Sequence, residues 1–289
     1  MSVAAARLDA ELVRRGLARS RARAAELVAA GLVRVDEAVA HKPSQPVADD
    51  AALAVAGDAG GQGYVSRAAL KLAGAMDALG GAAPVIDGTT CLDAGASTGG
   101  FTQVLLERGA RHVLAVDVGH AQMAREVAQD PRVTVREGVN VRDLDPAVGP
   151  VDLVVADLSF ISLTVVLPAL LGVVRPAGDL LIMVKPQFEV GRGKVGASGV
   201  VSSAALRQQA VLGVATTAVE LGATVRAVVP SPVPGPAGNR EYFLWLTTAP
   251  TGATAAPAPG ADAEAIADAV TRAVRDDTPV VLDGRRSPR

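Results

Sequence analysis

The sequence predicts an α/β protein in which a mostly parallel, seven-stranded sheet is flanked by helices and preceded by a small α+β domain. Three observations predict this fold class. Strand and helix patterns alternate between residues 64 and 248. The strand candidates are continuous apolar runs, such as residues 151–156, which suit strands covered on both faces. A glycine-rich turn follows the first strand candidate, at the edge where open parallel sheets bind ligands.

Composition narrows the range of functions. A length of 289 residues suggests about two domains. The 28 basic and 30 acidic residues exclude a uniformly basic nucleic-acid-binding protein but leave room for a local basic patch. A single cysteine excludes an internal disulfide framework, and the three histidines show no metal-ligand spacing, so we expect no structural metal.

Four segments follow one another along the chain. Residues 1–56 are predicted to form two short helices followed by short strands, and the glycine-rich residues 57–65 a linker. Residues 66–248 are predicted to form the α/β domain. Residues 249–289 begin with an Ala/Thr/Pro/Gly-rich stretch and are predicted to be a disordered tail, although a helical pattern spans 262–275.

The elements of the α/β domain follow from the hydrophobic pattern. Strands are predicted at residues 90–94, 112–117, 132–136, 151–157, 180–185, 224–229 and 242–247, and helices at 101–108 and 203–221. Because parallel strands end at one edge of the sheet, we expect the functional site in the loops at that edge.

The predicted N-terminal helices carry a cluster of arginines with no acid between them. These arginines can contact the phosphates of a structured nucleic acid or form a solvated helix face, and composition alone leaves both interpretations open. The cluster consists of Arg14, Arg15, Arg19, Arg21 and Arg23.

The glycine-rich turn has the features of a cofactor site. Ser97 stands where a dinucleotide-binding loop needs glycine, and no lysine follows as a P-loop requires. Asp117 ends the second strand, where a carboxylate commonly binds the ribose of an adenosine cofactor, and Asp93 can orient an amino-bearing tail. These features favour S-adenosylmethionine over NAD; a tight turn without a ligand is the alternative. The candidate cofactor residues are Asp93, Gly95, Ser97, Thr98, Gly99, Gly100, Phe101, Asp117, Asn140 and Asp157.

Further side chains are predicted to face the same crevice. Asp157 ends the fourth strand and Lys185 the fifth, and each follows an apolar run, so we expect both to be poorly solvated and paired. A purely structural ion pair is the alternative. Asn140 is a candidate adenine contact, although a lone asparagine in a loop is commonly a turn residue. Phe160 and Phe188 are candidates for stacking on an extruded base, unless they lie in the core.

The N-terminal motifs resemble those of a known RNA-binding family. The pattern R-L-D-x-x-L from Arg7, followed by S-R-x-x-A-x-x-L-V-x-x-G from Ser20, is similar to the S4 domain. Asp36 and Glu37 replace the usual Asn-Gly of that family. The resemblance implies binding of structured RNA through its shape and phosphates. Together with basic residues elsewhere, it predicts RNA contacts from Arg7, Arg14, Arg15, Arg19, Arg21, Arg23, Lys42, Arg67, Arg192 and Lys194.

Four motifs of the α/β domain resemble the TlyA family. They are V-S-R-x-x-x-K-L from Val65, D-x-G-x-S-T-G-G-F-T from Asp93, D-x-S-F-I-S from Asp157 and K-P-Q-F-E from Lys185. Members are ribosomal-RNA 2′-O-ribose methyltransferases, often named hemolysins, whose catalytic half resembles FtsJ-type enzymes. The resemblance implies a Rossmann-like, S-adenosylmethionine-dependent methyltransferase fold that modifies cytidines of small- or large-subunit RNA. It also implies a tetrad with Lys185 as the base, formed by Lys71, Asp157, Lys185 and Glu241.

Two other functions compete with this interpretation. A hemolysin acting on membranes is disfavoured because the chain shows no secretion signal, no convincing membrane span and no strongly basic amphipathic helix. A non-catalytic RNA-binding assembly factor is disfavoured by the tetrad and the cofactor loop. We therefore expect a cytoplasmic, monomeric enzyme that acts on ribosomal subunits and needs neither a metal nor a membrane.

Overall fold

The structure is a computed structural model that describes residues 6–15, 17–18, 21–29, 31–36, 38–55, 64–191, 193, 195–196, 199–235, 237–251 and 263–282. The chain divides into two units, Met1–Gly63 and Tyr64–Arg289. Of the predicted linker, residues 57–65, only the last two lie among the described residues.

The first unit packs two helices against short antiparallel strands, as its helical spacing predicts. The helices are α1 (Leu8–Arg14) and α2 (Arg21–Ala29), and the strands are β1 (Ala6–Arg7), β2 (Val33–Val35), β3 (Ala38–Val39), β4 (Pro46–Val47) and β5 (Leu53–Val55). Leu8, Leu12 and Leu27 are buried in its core. Asp36 turns the chain from β2 to β3 with φ of 48°, a left-handed conformation that aspartate adopts more readily than most residues. The hairpin therefore forms without the family's usual Asn-Gly.

The second unit alternates strands and helices. Its strands are β6 (Thr90–Ala94), β7 (His112–Asp117), β8 (Val133–Glu137), β9 (Val151–Ala156), β10 (Val174–Val184), β11 (Thr224–Pro230), β12 (Tyr242–Thr247) and β13 (Val280–Val281). Its helices are α3 (Arg67–Leu79), α4 (Gly100–Glu107), α5 (Arg125–Ala128), α6 (Leu163–Gly172), α7 (Pro186–Glu189), α8 (Ala204–Glu220) and α9 (Ala263–Asp276). The predicted strands and helices all form, with bounds shifted by a few residues.

These strands build one eight-stranded sheet in the order β13-β11-β12-β10-β9-β6-β7-β8. Strands β10, β9, β6, β7 and β8 run parallel to one another. Strand β12 is antiparallel to β10, β11 is antiparallel to β12, and β13 is antiparallel to β11. The connections from the central strand β6 run first to β7 on one side and later to β9 on the other. Such a switch point opens a crevice at the carboxyl ends of the strands, which is where the loops after β6 and β9 lie.

Helices cover both faces of this sheet. One apolar cluster joins α3 and α4 to one face, and a second joins α6, α8 and α9 to the other. Successive residues of β12 point to opposite faces, so Tyr242 belongs to the second cluster and Phe243 to the first. Because both faces of the sheet are covered, the strands are buried on both sides, which explains their continuous apolar runs.

The prediction of a disordered tail over 249–289 is wrong for residues 263–282. Ile266, Val270 and Val274 are buried on one face of α9, and β13 pairs with β11 as the eighth strand. The helical pattern predicted at 262–275 is therefore confirmed, and burial of its apolar face against the second cluster is what orders it. Residues 252–262 and 283–289 lie outside the described part of the chain.

Candidate active site

A cavity of about 680 Å³ opens at the carboxyl ends of the central strands. Among the predicted cofactor residues, five line it: Gly95, Ser97, Asp117, Asn140 and Asp157. They come from the last residue of β7 and from the loops after β6, β8 and β9. The topological switch point therefore brings together side chains that lie far apart in sequence.

The turn after β6 is shaped by its backbone. Gly95 has φ of 85°, and a Cβ there would lie 2.7 Å from the carbonyl oxygen of Asp157, so only glycine fits. Ser97, with φ of 45°, donates its backbone N–H to Asp117 Oδ2 at 2.8 Å. The backbone N–H of Gly119 binds Asp117 Oδ1 at 2.7 Å. These bonds fix the Asp117 carboxylate at the cavity wall.

Asp93 is completely buried at the end of β6. Its Oδ2 accepts a hydrogen bond from Thr102 Oγ1 at 2.6 Å, and its Oδ1 has no partner among the described residues. Burial raises the pKa of this carboxyl to about 7, and the nearby Asp157 and Asp117 charges act in the same direction. A buried acceptor without a partner costs stability unless a bound group satisfies it.

The raised pKa of Asp93 has a measurable consequence for stability. Between about pH 4 and about pH 7 the unfolded chain has lost this proton while the folded chain keeps it, so the contribution of Asp93 to the unfolding free energy falls as pH rises. Urea unfolding of wild type and Asp93→Asn across that window should show a steeper decline for wild type. Parallel pH profiles would contradict a protonated Asp93.

Other residues of the predicted cofactor loop have a structural role. The ring of Phe101 is buried and stacks on Phe243 with centroids 6.0 Å apart. A contact of Phe101 with the cofactor stays a prediction. Thr98, Gly99 and Gly100 do not line the cavity. A side chain at position 100 would collide with Ser66. This glycine therefore allows α4 to approach the start of α3.

Lys185 and Asp157 form an ion pair of 2.7 Å beside the cavity. Their side chains are only 10% and 15% exposed. Lys185 follows β10 and Asp157 follows β9, two neighbouring parallel strands that bring them together. The ammonium of Lys185 also donates to Ser159 Oγ at 2.9 Å. Sequence reasoning did not single out Ser159, although it belongs to the same D-x-S-F motif.

A second buried ion pair joins Lys71 on α3 to Glu241, the residue before β12, at 2.6 Å. Gln187 donates to the other carboxylate oxygen of Glu241 at 3.4 Å. Lys71 also contacts the sulfur of Met183 at 4.0 Å, and Met183 precedes Lys185 by two residues on β10. The four predicted tetrad residues thus form two ion pairs at the same end of the sheet.

Phe160 projects into solvent at the rim of the cavity. Phe160 is 91% exposed, and its backbone has φ of 65°. A left-handed bulky residue costs about 1–3 kcal/mol and persists where surrounding structure enforces it. Its ring lies 5.2 Å from that of Phe188. The alternative that Phe160 lies in the core is therefore wrong.

In the first unit, buried acids hold most of the predicted RNA-binding arginines that the structure describes. Asp9 accepts hydrogen bonds from Arg7 at 2.9 Å and Arg21 at 3.0 Å, which lower the pKa of its carboxyl. Glu11 pairs with Arg14 and Arg15, with the same effect on its pKa. The side chains of Arg7, Arg14 and Arg21 stay more than half exposed.

Arg15 differs from its neighbours. Besides Glu11, it donates to the carbonyl oxygens of Ala48, Asp49 and Ala51, which uses most of its donors inside the unit. These hydrogen bonds give Arg15 a structural role, and its contact with RNA stays a prediction. Lys42 is exposed, and Arg67 reaches the carbonyl oxygen of Pro234 at 3.4 Å. Outside the described residues lie Arg19, Arg192, Lys194 and the side chain of Arg23.

A membrane-spanning helix or a metal site in the described part of the chain would bear on the alternative functions. No helix there is long and apolar enough to cross a membrane. The same residues contain no group of three or more histidine, cysteine, aspartate or glutamate side chains arranged to hold a metal ion.

Comparison with known proteins identifies both units. The family model of FtsJ-like methyltransferases matches residues 64–248, and that of the S4 domain matches residues 6–51. A Mycobacterium tuberculosis relative named 16S/23S rRNA (cytidine-2′-O)-methyltransferase TlyA is 54% identical over 94% of this chain and 98% of its own. Hemolysin A of Brachyspira hyodysenteriae is 32% identical over 82% of this chain and 98% of its own.

A solved structure supports the same family relationship. A protein of Streptococcus thermophilus described as a hemolysin superimposes with a TM-score of 0.71 and 33% identity, covering 96% of this chain and 98% of that one. The motifs, the sheet order and the matched family models lead to one assignment. The chain belongs to the TlyA family of methyltransferases, in which an S4 domain precedes an FtsJ-like catalytic domain.

Proposed function

We propose that this chain transfers a methyl group from S-adenosylmethionine to the 2′-hydroxyl of cytidine in ribosomal RNA. The observation that carries the proposal is the pair of buried ion pairs, Lys185 with Asp157 and Lys71 with Glu241, at the end of the sheet where the cavity opens. Buried ion pairs are weak contributors to stability because desolvation offsets their attraction. Two of them at the ligand-binding edge of a methyltransferase sheet are better explained by catalysis than by a structural role.

The cavity fits the cofactor. Its volume of about 680 Å³ lies within the usual range for small-molecule sites. Asp117, held by two backbone N–H groups, suits the ribose hydroxyls, and Asn140 the adenine. Asp93 offers a buried carboxyl oxygen without a partner among the described residues. A cationic amino group beside it would favour its ionised form, so the pair suits the amino group of the cofactor. Bound S-adenosylmethionine would supply a methyl group already activated on a sulfonium.

Lys185 acts as the general base in this proposal. A 2′-hydroxyl must lose its proton as its oxygen attacks the methyl carbon. Lys185 can accept that proton only after its ammonium group has released its own proton to solvent and become a neutral amine. Asp157 and Ser159 fix the direction of Lys185 Nζ through contacts of 2.7 and 2.9 Å. Glu241, anchored by Lys71, holds the ribose. Holding the two reactants in line accounts for much of the remaining rate enhancement.

The experiment that tests this function is methyl transfer from labelled S-adenosylmethionine to purified 30S and 50S subunits. Nuclease mapping of the label should locate a 2′-O-methyl cytidine and show which subunit is modified. Cofactor binding without label on either subunit would point to free or precursor RNA as the substrate. Absence of cofactor binding would contradict the proposal.

Phe160 is proposed to stack on the target base once it leaves its helix. Base stacking on an aromatic ring contributes about 1–3 kcal/mol, so Phe160→Ala should lower kcat/KM for ribosomal RNA by about tenfold or more. The affinity for S-adenosylmethionine should stay within about twofold of wild type. Val85→Ala is the matched control, since Val85 is 65% exposed but precedes the amino end of β6. Equal kinetics for both variants would contradict this role.

Arg21 is proposed to contact RNA phosphate. Arg21→Ala should weaken binding to ribosomal RNA and reduce the slope of log affinity against log salt by about one. Arg15→Ala provides the comparison within the same unit, because its donors are used internally. It should lower thermal stability while leaving the salt slope unchanged. A reduced slope for Arg15→Ala alone would reverse the two assignments.

A further inference from the structure

A carboxylate outside the tetrad connects two segments of the proposed site by hydrogen bonds: the loop that follows β9 and the short helix α7. Glu189, the last residue of α7, accepts a hydrogen bond from Ser162 Oγ at 2.5 Å and another from the backbone N–H of Leu163 at 2.9 Å. Leu163 is the first residue of α6 and Ser162 is its N-cap, 26 and 27 residues earlier in the chain. The side chain of Ser162 already caps that helix through Thr164 N, so Glu189 adds a tertiary connection to an existing cap.

This connection lies next to the two functional segments it joins. The helix α7 begins immediately after Lys185, and the loop that ends at Ser162 contains Phe160. Within the same pair of segments, the ring of Phe188 lies 5.2 Å from that of Phe160. The ion pair of Lys185 with Asp157 ties the near ends of the two segments, and Glu189 ties the far ends.

We propose that Glu189 is a positioning residue that holds the loop from Asp157 to Ser162 against α7 and thereby keeps Phe160 in place for the target base. The proposal rests on the proposed function. A solvent-exposed ring on a left-handed backbone needs support from its surroundings, and Glu189 binds the loop two residues after Phe160. Hydrogen bonds to a carboxylate are shorter and stronger than neutral ones, which suits this task.

Two substitutions of Glu189 separate its hydrogen bonds from its bulk. Glu189→Ala leaves the N–H of Leu163 without its acceptor and should lower kcat/KM for ribosomal RNA by about tenfold, because small misplacements of reacting groups are costly. Glu189→Gln should stay within about threefold of wild type, since an amide can accept from Leu163 and donate to Ser162. The dissociation constant for S-adenosylmethionine should change by less than about twofold in both variants.

A double-mutant cycle tests whether Glu189 acts through Phe160. In a Phe160→Ala background, Glu189→Ala should lower kcat/KM by no more than about twofold further, since the two residues would share one effect. Asp179→Asn is the control for loss of a partly buried carboxylate. Asp179 accepts from Trp245 at 3.0 Å and Thr247 at 2.8 Å in the middle of β10, six residues before Lys185. Asp179→Asn should lower the melting temperature, and at assay temperatures below that melting temperature kcat/KM should equal the wild-type value.

The outcomes are distinct. A loss in Glu189→Ala that shrinks in the Phe160→Ala background and is rescued by glutamine supports the positioning role. An equal loss in both backgrounds, or unchanged kinetics in Glu189→Ala, would overturn it while leaving methyl transfer itself established. Absence of methyl transfer by the wild-type chain to ribosomal subunits and to free or precursor ribosomal RNA would overturn both proposals.

Discussion

Replacing Lys185 with alanine is expected to reduce methyl transfer to ribosomal RNA by about 100- to 10,000-fold, the usual contribution of a general base. Affinity for S-adenosylmethionine should change by less than about threefold, because Lys185 contacts Asp157 and Ser159 and does not line the cavity. Single-turnover methylation and calorimetric cofactor binding measure the two quantities separately. Loss of cofactor affinity with little change in the methyl-transfer step would contradict the role of base.

Lys185→Arg is the matched variant that separates proton transfer from charge. Arginine keeps a cation next to Asp157 but stays protonated in proteins, so it cannot accept the 2′-hydroxyl proton. We expect this variant to fold like wild type and to be about as inactive as Lys185→Ala. Substantial activity in Lys185→Arg would show that the site needs a positive charge and no base.

Replacing Glu241 with alanine is expected to have the largest effect on stability. The change would leave Lys71, whose side chain is 8% exposed, as a buried charge without its carboxylate partner. Removing one member of a buried ion pair typically costs about 3–5 kcal/mol. Urea unfolding should therefore show a lower midpoint with little change in slope. Wild-type stability in Glu241→Ala would mean that water or another group can solvate Lys71.

The double variant Lys71→Met with Glu241→Leu separates fold from function. Apolar replacement of both partners is often neutral or stabilising, since it removes the desolvation cost together with the attraction. We expect the double variant to regain most of the stability lost by Glu241→Ala yet to remain inactive. Recovery of methyl transfer would show that this pair serves only the fold.

The sheet could be predicted from sequence because its strands are buried on both faces. Such strands are continuous apolar runs, and the residues that end them are polar at the functional edge. Asp157 and Lys185 follow this rule, so local pattern was enough to propose their pairing. Lys71 and Glu241 could not be paired from local pattern, because they are 170 positions apart. Before the structure, only the family resemblance implied that they act together.

Other features had no local signal. The apolar face of α9 was visible in the sequence, but its partner surface is formed by β11 and α8, so its burial could not be inferred. Arg14 and Arg15 are adjacent and chemically identical, so the sequence does not distinguish them. Only the tertiary fold places Arg15 against backbone carbonyl oxygens. Glu189 lies in the K-P-Q-F-E motif, but its partners are on another helix.

The packing of α9 and β13 has a consequence for the genetics of this chain. A premature stop codon anywhere between residue 249 and residue 262 would leave all of the family-matched catalytic segment, residues 64–248, intact. It would nevertheless remove α9, uncover the apolar residues it buries, and free the edge of β11 that β13 occupies. Such late nonsense alleles should therefore behave as loss-of-function alleles through misfolding and degradation.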